Sequence, residues 1–256
     1  MVLAIDIGNS NIVLGGLEGD EIVFQARLAT DLTRTADQYC AELKSMLSLY
    51  EVSPRSLEGA ILSSVVPPVS NAIVSAVERL TGHRPMTVGP GLKTGVKICI
   101  DNPAQAGADL IVGAAAVLSE YGAPACIIDL GTATTMTVLN GEGCFVGGTI
   151  HPGVKLSLNA LTSRAAQLPG ISLEPPRKVI GTNTVECMRG GMIVGTACMI
   201  DGMIDRFEAE LGCRIPVVVA TGGLAKYIVP LCRREIVLDD DLLLKGLRVL
   251  YRKNVR

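Results

Sequence analysis

The sequence predicts an α/β fold of two similar halves with a cleft between them, on three observations. Apolar stretches of strand length alternate with stretches of helical periodicity. Two distant segments, 2–24 and 125–143, share one pattern: apolar strand, Asp-x-Gly turn followed by small hydroxyl or amide residues, second strand, glycine-containing hairpin. Finally, 256 residues that are 48% hydrophobic, with a mean hydropathy of +0.41, supply core for one large domain or two small ones. A duplicated half-domain of about 120 residues accounts for the repeat economically. Its boundary falls near 120–125, giving expected halves of 1–121 and 122–256.

Within the first half, the strand 2–7 leads to the turn Asp6-Ile7-Gly8-Asn9-Ser10-Asn11. Thr35-Ala36-Asp37-Gln38 is a capping box, after which Cys40, Leu43, Leu47 and Tyr50 fall on one helical face. Residues 59–65 read as a buried strand ended by Pro67-Pro68, 70–80 as a helix stopped near Gly82, and 86–88 as a short strand. Asn102-Pro103 then leads into a helix over 105–120. In the second half, the strand 125–130 ends in Asp129-Leu130-Gly131-Thr132. A helix follows over 155–166, and 168–180, carrying Pro169, Pro175 and Pro176, reads as an exposed loop. Asn183-Thr184-Val185-Glu186 caps a long helix reaching about 211. A buried strand at 217–220 ends in Thr221-Gly222-Gly223, and Asp241 caps a last helix carrying Leu244, Leu247 and Tyr251.

Composition excludes several classes of function. A net charge of −2, a pI near 5.8, 3% aromatic residues and no tryptophan argue against phosphate-backbone binding and base stacking, so no nucleic acid is expected. Unbroken apolar runs such as 110–118 fall short of the roughly 18 residues a membrane span needs. Val2-Leu3-Ala4-Ile5 does not read as a leader, so a cytoplasmic protein without membrane contact is expected. Eight cysteines are scattered without zinc or CxxC spacing and read mostly as small hydrophobes in a reducing compartment. His83 and His151 are the only histidines, which makes histidine metal sites and Ser-His-Asp catalysis poor candidates.

An Asp-x-Gly turn at the end of a buried strand has a physical use. Glycine lets a ligand approach the backbone, and successive amides can face phosphate oxygens. The aspartate repels phosphate but can hold a Mg²⁺-bound water or a monovalent cation. One such turn is ordinary hairpin punctuation; two in a duplicated frame, with Thr221-Gly222-Gly223 after a late strand, point to a nucleotide. The G-x-x-x-x-G-K-[ST] loop is absent, as is a G-x-G-x-x-G following a strand.

The segments DIGNSN (6–11), RTADQY (34–39), SSVVPP (63–68), VGPGLKTG (88–95), DNPAQAGAD (101–109), DLGTATT (129–135), GGTIHPG (147–153), IGTNTVE (180–186) and TGGLA (221–225) span nearly the whole chain. Together they resemble the acetate and sugar kinase/Hsc70/actin superfamily and, within it, the type III pantothenate kinases. The resemblance implies two ribonuclease H-like (actin-like ATPase) halves with a central interlobe cleft. It implies that ATP phosphorylates pantothenate to 4′-phosphopantothenate, the first step of coenzyme A synthesis. Asp6, Ile7, Gly8, Asn9, Ser10, Asn11, Ile12 and Val13 would form the first ATP phosphate loop, with Asp6 positioning Mg²⁺ through water. Asp129 would bind a monovalent cation (K⁺ or NH₄⁺), Thr132 an ATP phosphate, and Gly222 and Gly223 would flank the adenosine. Ile100, Gly107, Ala108, Asp109 and Leu110 would lie on the acceptor side, with Asp109 as the catalytic base. Thr184 would reach the acceptor from the neighbouring subunit of a homodimer.

From the residues alone, Asp109 reads equally as a helix cap, where the helix dipole would lower its pKa, or as the base; the resemblance favours the base. Three positions depart from the family pattern. Leu110 stands where Arg is usual, Ile100 where Tyr is usual, and Met136-Thr137 where an Asp is usual. These departures fit drift with a compensating cation such as Lys155 or Arg164, a kinase for a different small hydroxylated acceptor, or a non-catalytic nucleotide-binding paralogue acting as a regulator. Arg177, Lys178, Arg233, Arg234, Arg252 and Lys253 read as solvated surface. The apolar stripe 192–203, with Gly191 and Gly195, reads as plain core or as a dimer interface, and the small residues favour the interface.

Overall fold

The computed structural model describes residues 1–255, and the chain divides into two compact units. Unit 1 holds residues 1–95, 102–119 and the segment from 242 onward; unit 2 holds 96–101 and 120–241.

Unit 1 is built on β1 (Val2–Ile7), β2 (Asn11–Glu18), β3 (Glu21–Ala29), β4 (Gly59–Ser64) and β5 (Met86–Thr87) in the order β3-β2-β1-β4-β5. The first three strands form an antiparallel meander, whereas β4 and β5 add in parallel. β1 lies centrally and is buried from Leu3 to Ile7, which is why it reads as a continuous apolar run rather than an alternating one. α1 (Ala36–Leu49) opens with the expected capping box of Thr35 and Gln38. Leu43 and Leu47 are buried as expected and Cys40 packs partly buried beside them, but the face is centred on Tyr39, and Tyr50 serves as the C-cap. The Tyr39 hydroxyl donates to Asp31 O at 2.8 Å and accepts from Asp31 N at 3.0 Å, which pins the loop after β3. α2 (Pro67–Thr81) begins three residues before the expected start. Proline at the first helical position lacks only an N–H that would have no partner there, so Pro67 opens the helix as well as ending the strand before it.

α3 (Ala108–Glu120) and α8 (Leu242–Asn254) complete unit 1. A Cβ on Gly246 of α8 would lie 2.1 Å from Val112 O, so the two helices meet backbone to backbone. Leu244 fills the space over Gly15, whose own Cβ would lie 2.8 Å from Leu244 Cδ1. The last helix therefore packs with the first sheet, which no single cut near residue 121 allows.

Unit 2 carries β6 (Lys97–Ile98), β7 (Ala125–Leu130), β8 (Ala133–Leu139), β9 (Cys144–Pro152), β10 (Val217–Thr221) and β11 (Val237–Leu238) in the order β11-β10-β7-β8-β9-β6. With β6 set aside, this is the unit 1 order again, with the same antiparallel meander and the same parallel additions. Even the register shift recurs, at Gly16/Leu17 in β2 and at Val138/Leu139 in β8. The expected duplication is thus present strand by strand.

α4 (Val154–Arg164) follows β9, and the exposed loop after it leads to α5 (Thr184–Arg189). A π turn over Gly190–Val194 joins α5 to α6 (Gly195–Leu211), where the sequence pattern suggested one unbroken α-helix. The resulting 28-residue rod Thr184–Leu211 is, by length and composition, apolar enough to cross a membrane, which the unbroken apolar runs did not suggest. Its Ile193, Ala197, Ile200 and Ile204 are buried in the core of unit 2. Its buried Asp201 accepts the backbone N–H of Arg233 (2.9 Å) and of Arg234 (3.1 Å). These are the contacts of a packed core helix. α7 (Ala225–Ile228) follows β10.

Candidate active site in two repeated turns

In unit 1, β1 places Asp6 opposite Val13 of β2 and Ser63 of β4. Asp6 is 8% exposed. The turn beyond it closes through Gly8 N–H to Asn11 O at 2.9 Å. Thr30, just past β3, holds the turn from behind: its Oγ1 donates to Gly8 O at 2.7 Å and its N–H to Ser10 O at 3.1 Å. Asn9, Ser10 and Asn11 are left exposed at the tip, while the Ile7 and Ile12 side chains are buried in the core and Val13 is half-buried. Ile7 and Ile12 can therefore meet a ligand only through their backbones. The Ser63 hydroxyl beside Asp6 is fully buried and has no hydrogen-bond partner. Burying such a group unsatisfied costs about 1–3 kcal/mol, so the donor set around Asp6 suits a bound water or hydrated ion.

Unit 2 repeats the arrangement. Asp129 lies opposite Thr135 of β8 and Thr221 of β10, the positions equivalent to Val13 and Ser63. Gly131 N–H donates to Ala133 O at 3.1 Å. Gly153, between β9 and α4, donates to Thr132 O at 3.1 Å, and a Cβ there would lie 2.2 Å from that oxygen and 2.6 Å from Gly131 O. Only glycine permits this approach. No side chain caps α4 at its N-terminus, which leaves its first amides free beside the turn, a setting favourable to anions. Gly222, at φ +97°, presses on the same place: its Cβ would lie 2.7 Å from Asp129 Oδ1 and 2.7 Å from Leu130 N. The fold thus gathers Asp129, Gly131, Thr132, Gly153 and Gly222 into one cluster. Thr132 is exposed at its surface, and Gly223 stands exposed with open space around it.

Asp109 is the second residue of α3, so it is not the N-cap. Its Oδ1 accepts Leu110 N–H at 2.9 Å and crowds Gly107, where a Cβ would lie 2.5 Å away. Burial raises its pKa above the ordinary 3.8, and the Leu110 and Asp109 backbone N–H groups offset this only in part. The lowering expected from a helix start does not prevail. Ala108 and Leu110 are half-buried alongside it in unit 1. Ile100, half-buried, and Thr184, exposed as the first residue of α5, belong to unit 2. Asn183 is the true cap of α5, accepting Glu186 N–H at 3.0 Å. Met136 and Thr137 are buried within β8, so that departure from the family pattern is absorbed inside the sheet.

Among the described residues no group of three or more His, Cys, Asp or Glu side chains is placed to hold a metal ion. One carboxylate per turn instead fits ions whose other ligands are water and phosphate oxygens, the usual habit of Mg²⁺. Ser63 and Gly153 fall inside the segments SSVVPP and GGTIHPG without a role of their own there, and Thr30 lies outside every such segment. Gly153 does carry a local signal, Pro152-Gly153 between a strand and a helix, whereas Thr30 and Ser63 acquire meaning only through the strands they pair with.

A family model described as type III pantothenate kinase matches residues 2–206. The chain is 43% identical over 254 residues to a type III pantothenate kinase of an Exiguobacterium species, covering 99% of both chains. It is 41% identical to the type III pantothenate kinase of Moorella thermoacetica, covering 99% of this chain and all of the relative. Among solved structures, the activator of the 2-hydroxyisocaproyl-CoA dehydratase from Clostridium difficile, with bound ADPNP, aligns with a TM-score of 0.59 at 13% identity, covering 100% of this chain and 98% of that one. That likeness bears on the fold, which is of the actin-like ATPase type.

Proposed function

Because the chain belongs to the type III pantothenate kinase family, we propose that it transfers the γ-phosphoryl group of ATP to pantothenate. The products are ADP and 4′-phosphopantothenate, the first step of coenzyme A synthesis, and the enzyme works as a cytoplasmic homodimer. The observation that carries this reading is the recurrence of an Asp-x-Gly turn at the end of the central strand in two sheets whose strand order agrees once β6 is set aside.

Phosphoryl transfer asks a protein for positioning and charge neutralisation more than for covalent chemistry. In this reading the backbone of 6–13 and the exposed Asn9, Ser10 and Asn11 side chains hold ATP phosphate oxygens. The Thr132 hydroxyl and the turn braced by Gly153 take a further phosphate, and Gly222 and Gly223 flank the adenosine. Asp6 and the partnerless Ser63 hydroxyl hold a water of Mg²⁺, and Asp129 holds K⁺ or NH₄⁺. The cations neutralise charge on the transferring phosphoryl group. Asp109 accepts the proton of the attacking hydroxyl; its burial-raised basicity supports that role. Ile100, Gly107, Ala108 and Leu110 line the acceptor, and Thr184 reaches it from the neighbouring subunit. The dimer reading is supported by the π turn and α6, which carry Gly191, Gly195 and Cys198 exposed along one line, where small residues permit close approach of a second helix.

ADP release tests the proposal. With Mg²⁺ and K⁺, release depends on pantothenate and falls when Na⁺ replaces K⁺. No pantothenate-dependent ADP with either cation would overturn it. Leu110 favours a second reading, an acceptor without a carboxylate, because a leucine offers no charge-assisted hydrogen bond. Leu110→Arg then tightens the apparent KM for pantothenate about tenfold or more, for a contact of about 1.5–3 kcal/mol. An unchanged KM would show that residue 110 does not face the acceptor.

A further inference from the structure

The cysteines look unrelated in sequence, and half of them (Cys99, Cys187, Cys198 and Cys213) are exposed rather than used as core. The fold brings two together at the edge of the unit 2 sheet. β6 pairs in parallel with β9, Lys97 opposite Cys144 and Ile98 opposite Phe145, and Cys99 N–H continues the ladder to Phe145 O at 2.8 Å. Paired residues project to one face of a sheet, as do residues two apart on a strand, so Lys97, Cys99 and Cys144 share a face. Cys99, two residues beyond Lys97, lies diagonally across the ladder from Cys144 and close enough to act on its thiol. Cys99 is exposed, whereas Cys144 is 2% exposed behind it. Burial and the neighbouring Cys99 raise the Cys144 pKa, the Lys97 ammonium opposes them only in part, and the Glu142 carboxylate accepts the Cys144 S–H at 3.7 Å.

An open thiol backed by a shielded one, with a cation and a proton acceptor beside them, is the arrangement of a nucleophilic and a resolving cysteine. We propose that Cys99 and Cys144 form an oxidisable pair that a peroxide converts to a disulfide, fastening β6 to β9. In the first step the Cys99 sulfur attacks a peroxide oxygen; the O–O bond breaks, the sulfur becomes a sulfenic acid, and the second oxygen leaves with the Cys99 proton as water. In the second step the Cys144 sulfur attacks the sulfenic sulfur; the S–S bond forms, the S–O bond breaks, and hydroxide leaves with the Cys144 proton as a second water. The peroxide supplies the two electrons' worth of oxidation. β6 is only two residues long and lies at the sheet edge, so it can make the small adjustment a disulfide requires. The same segment ends in Ile100 and Asp101, and on the proposed function Ile100 lines the acceptor. The disulfide therefore changes acceptor binding without touching the phosphate turns.

The test is brief exposure of the reduced protein to a slight excess of hydrogen peroxide, followed by mass spectrometry without reductant. The expected result is an intact mass lower by about 2 Da and one cross-linked peptide joining Cys99 to Cys144, both reversed by dithiothreitol. Cys144→Ser arrests the reaction at a Cys99 sulfenic acid that dimedone traps, and Cys99→Ser leaves Cys144 reduced. Overoxidation of Cys99 with Cys144 still a thiol, or a cross-link through Cys187, Cys198 or Cys213 instead, would overturn the proposal. These readouts need no kinase activity, so they stand apart from the functional reading. In turnover assays the oxidised protein shows a severalfold shift in acceptor KM that reduction restores and Cys144→Ser lacks. A disulfide that leaves KM unchanged would sever the link to the acceptor.

Discussion

At Asp109, burial and backbone hydrogen bonds act on the carboxyl in opposite directions, and burial wins. A base near a reacting hydroxyl gains from that, since proton affinity rises with pKa. Asp109→Asn is expected to lower kcat by about 10²–10⁴-fold, the usual contribution of a positioned base, with ATP affinity nearly unchanged; steady-state kinetics and nucleotide calorimetry check both. The same shift has a stability consequence. A carboxyl whose folded pKa lies above its unfolded value contributes stability below the unfolded pKa and loses it as pH rises through the folded one. At neutral pH the charged Asp109 therefore weighs against the fold. Asp109→Asn should have the higher Tm at pH 7, by a margin that closes as the pH falls through the folded pKa. Asp6 and Asp129 were legible in the sequence because an aspartate before glycine at the end of an apolar run is a local signal. Ser63 and Thr30 were not, because Ser63 matters only opposite Asp6 and Thr30 only behind Gly8.

At the level of elements, unit 2 depends on close approaches that tolerate no side chain. Gly222→Ala must force both a left-handed backbone and a contact of 2.7 Å with the Asp129 carboxylate. We expect it to cost about 1–3 kcal/mol of stability and to weaken nucleotide binding more than the unfolding midpoint alone would suggest, read by denaturant titration and calorimetry together. Elements with their own stop and start signals were legible: Thr35 and Asn183 cap as expected, and the long central strands stand out as apolar runs. What escaped was set by partners elsewhere. β6 and β11, two residues each, are strands only because β9 and β10 lie beside them. The inner face of α1 is chosen by the burial of Tyr39 and its hydrogen bonds to Asp31, which periodicity alone did not separate from the Cys40 face. The π turn at 190–194 left no trace in an otherwise uniform helical pattern.

Over the whole molecule, the repeat was legible as two copies of a motif, and the two sheets agree with it in strand order, strand direction and the position of a register shift. The exchange of terminal segments was not, since 96–101 and the helix from 242 read in sequence as parts of their own halves. If the line of small residues on the π turn and α6 is the subunit contact, Gly195→Arg, which adds a bulky cation at an open position, yields a monomer in sedimentation while secondary structure is retained. A dimer of unchanged strength would place the contact elsewhere. α8 has a further consequence, for biosynthesis. As the nascent chain leaves the ribosome, the first sheet emerges with Gly15 bare of Leu244, and α3 with Val112 bare of Gly246, and both stay so until α8 is made. The portion translated later, by contrast, has all its strands and helices in hand by residue 241. The half synthesised first is therefore completed only after the other, and it is the one most in need of a chaperone until α8 emerges.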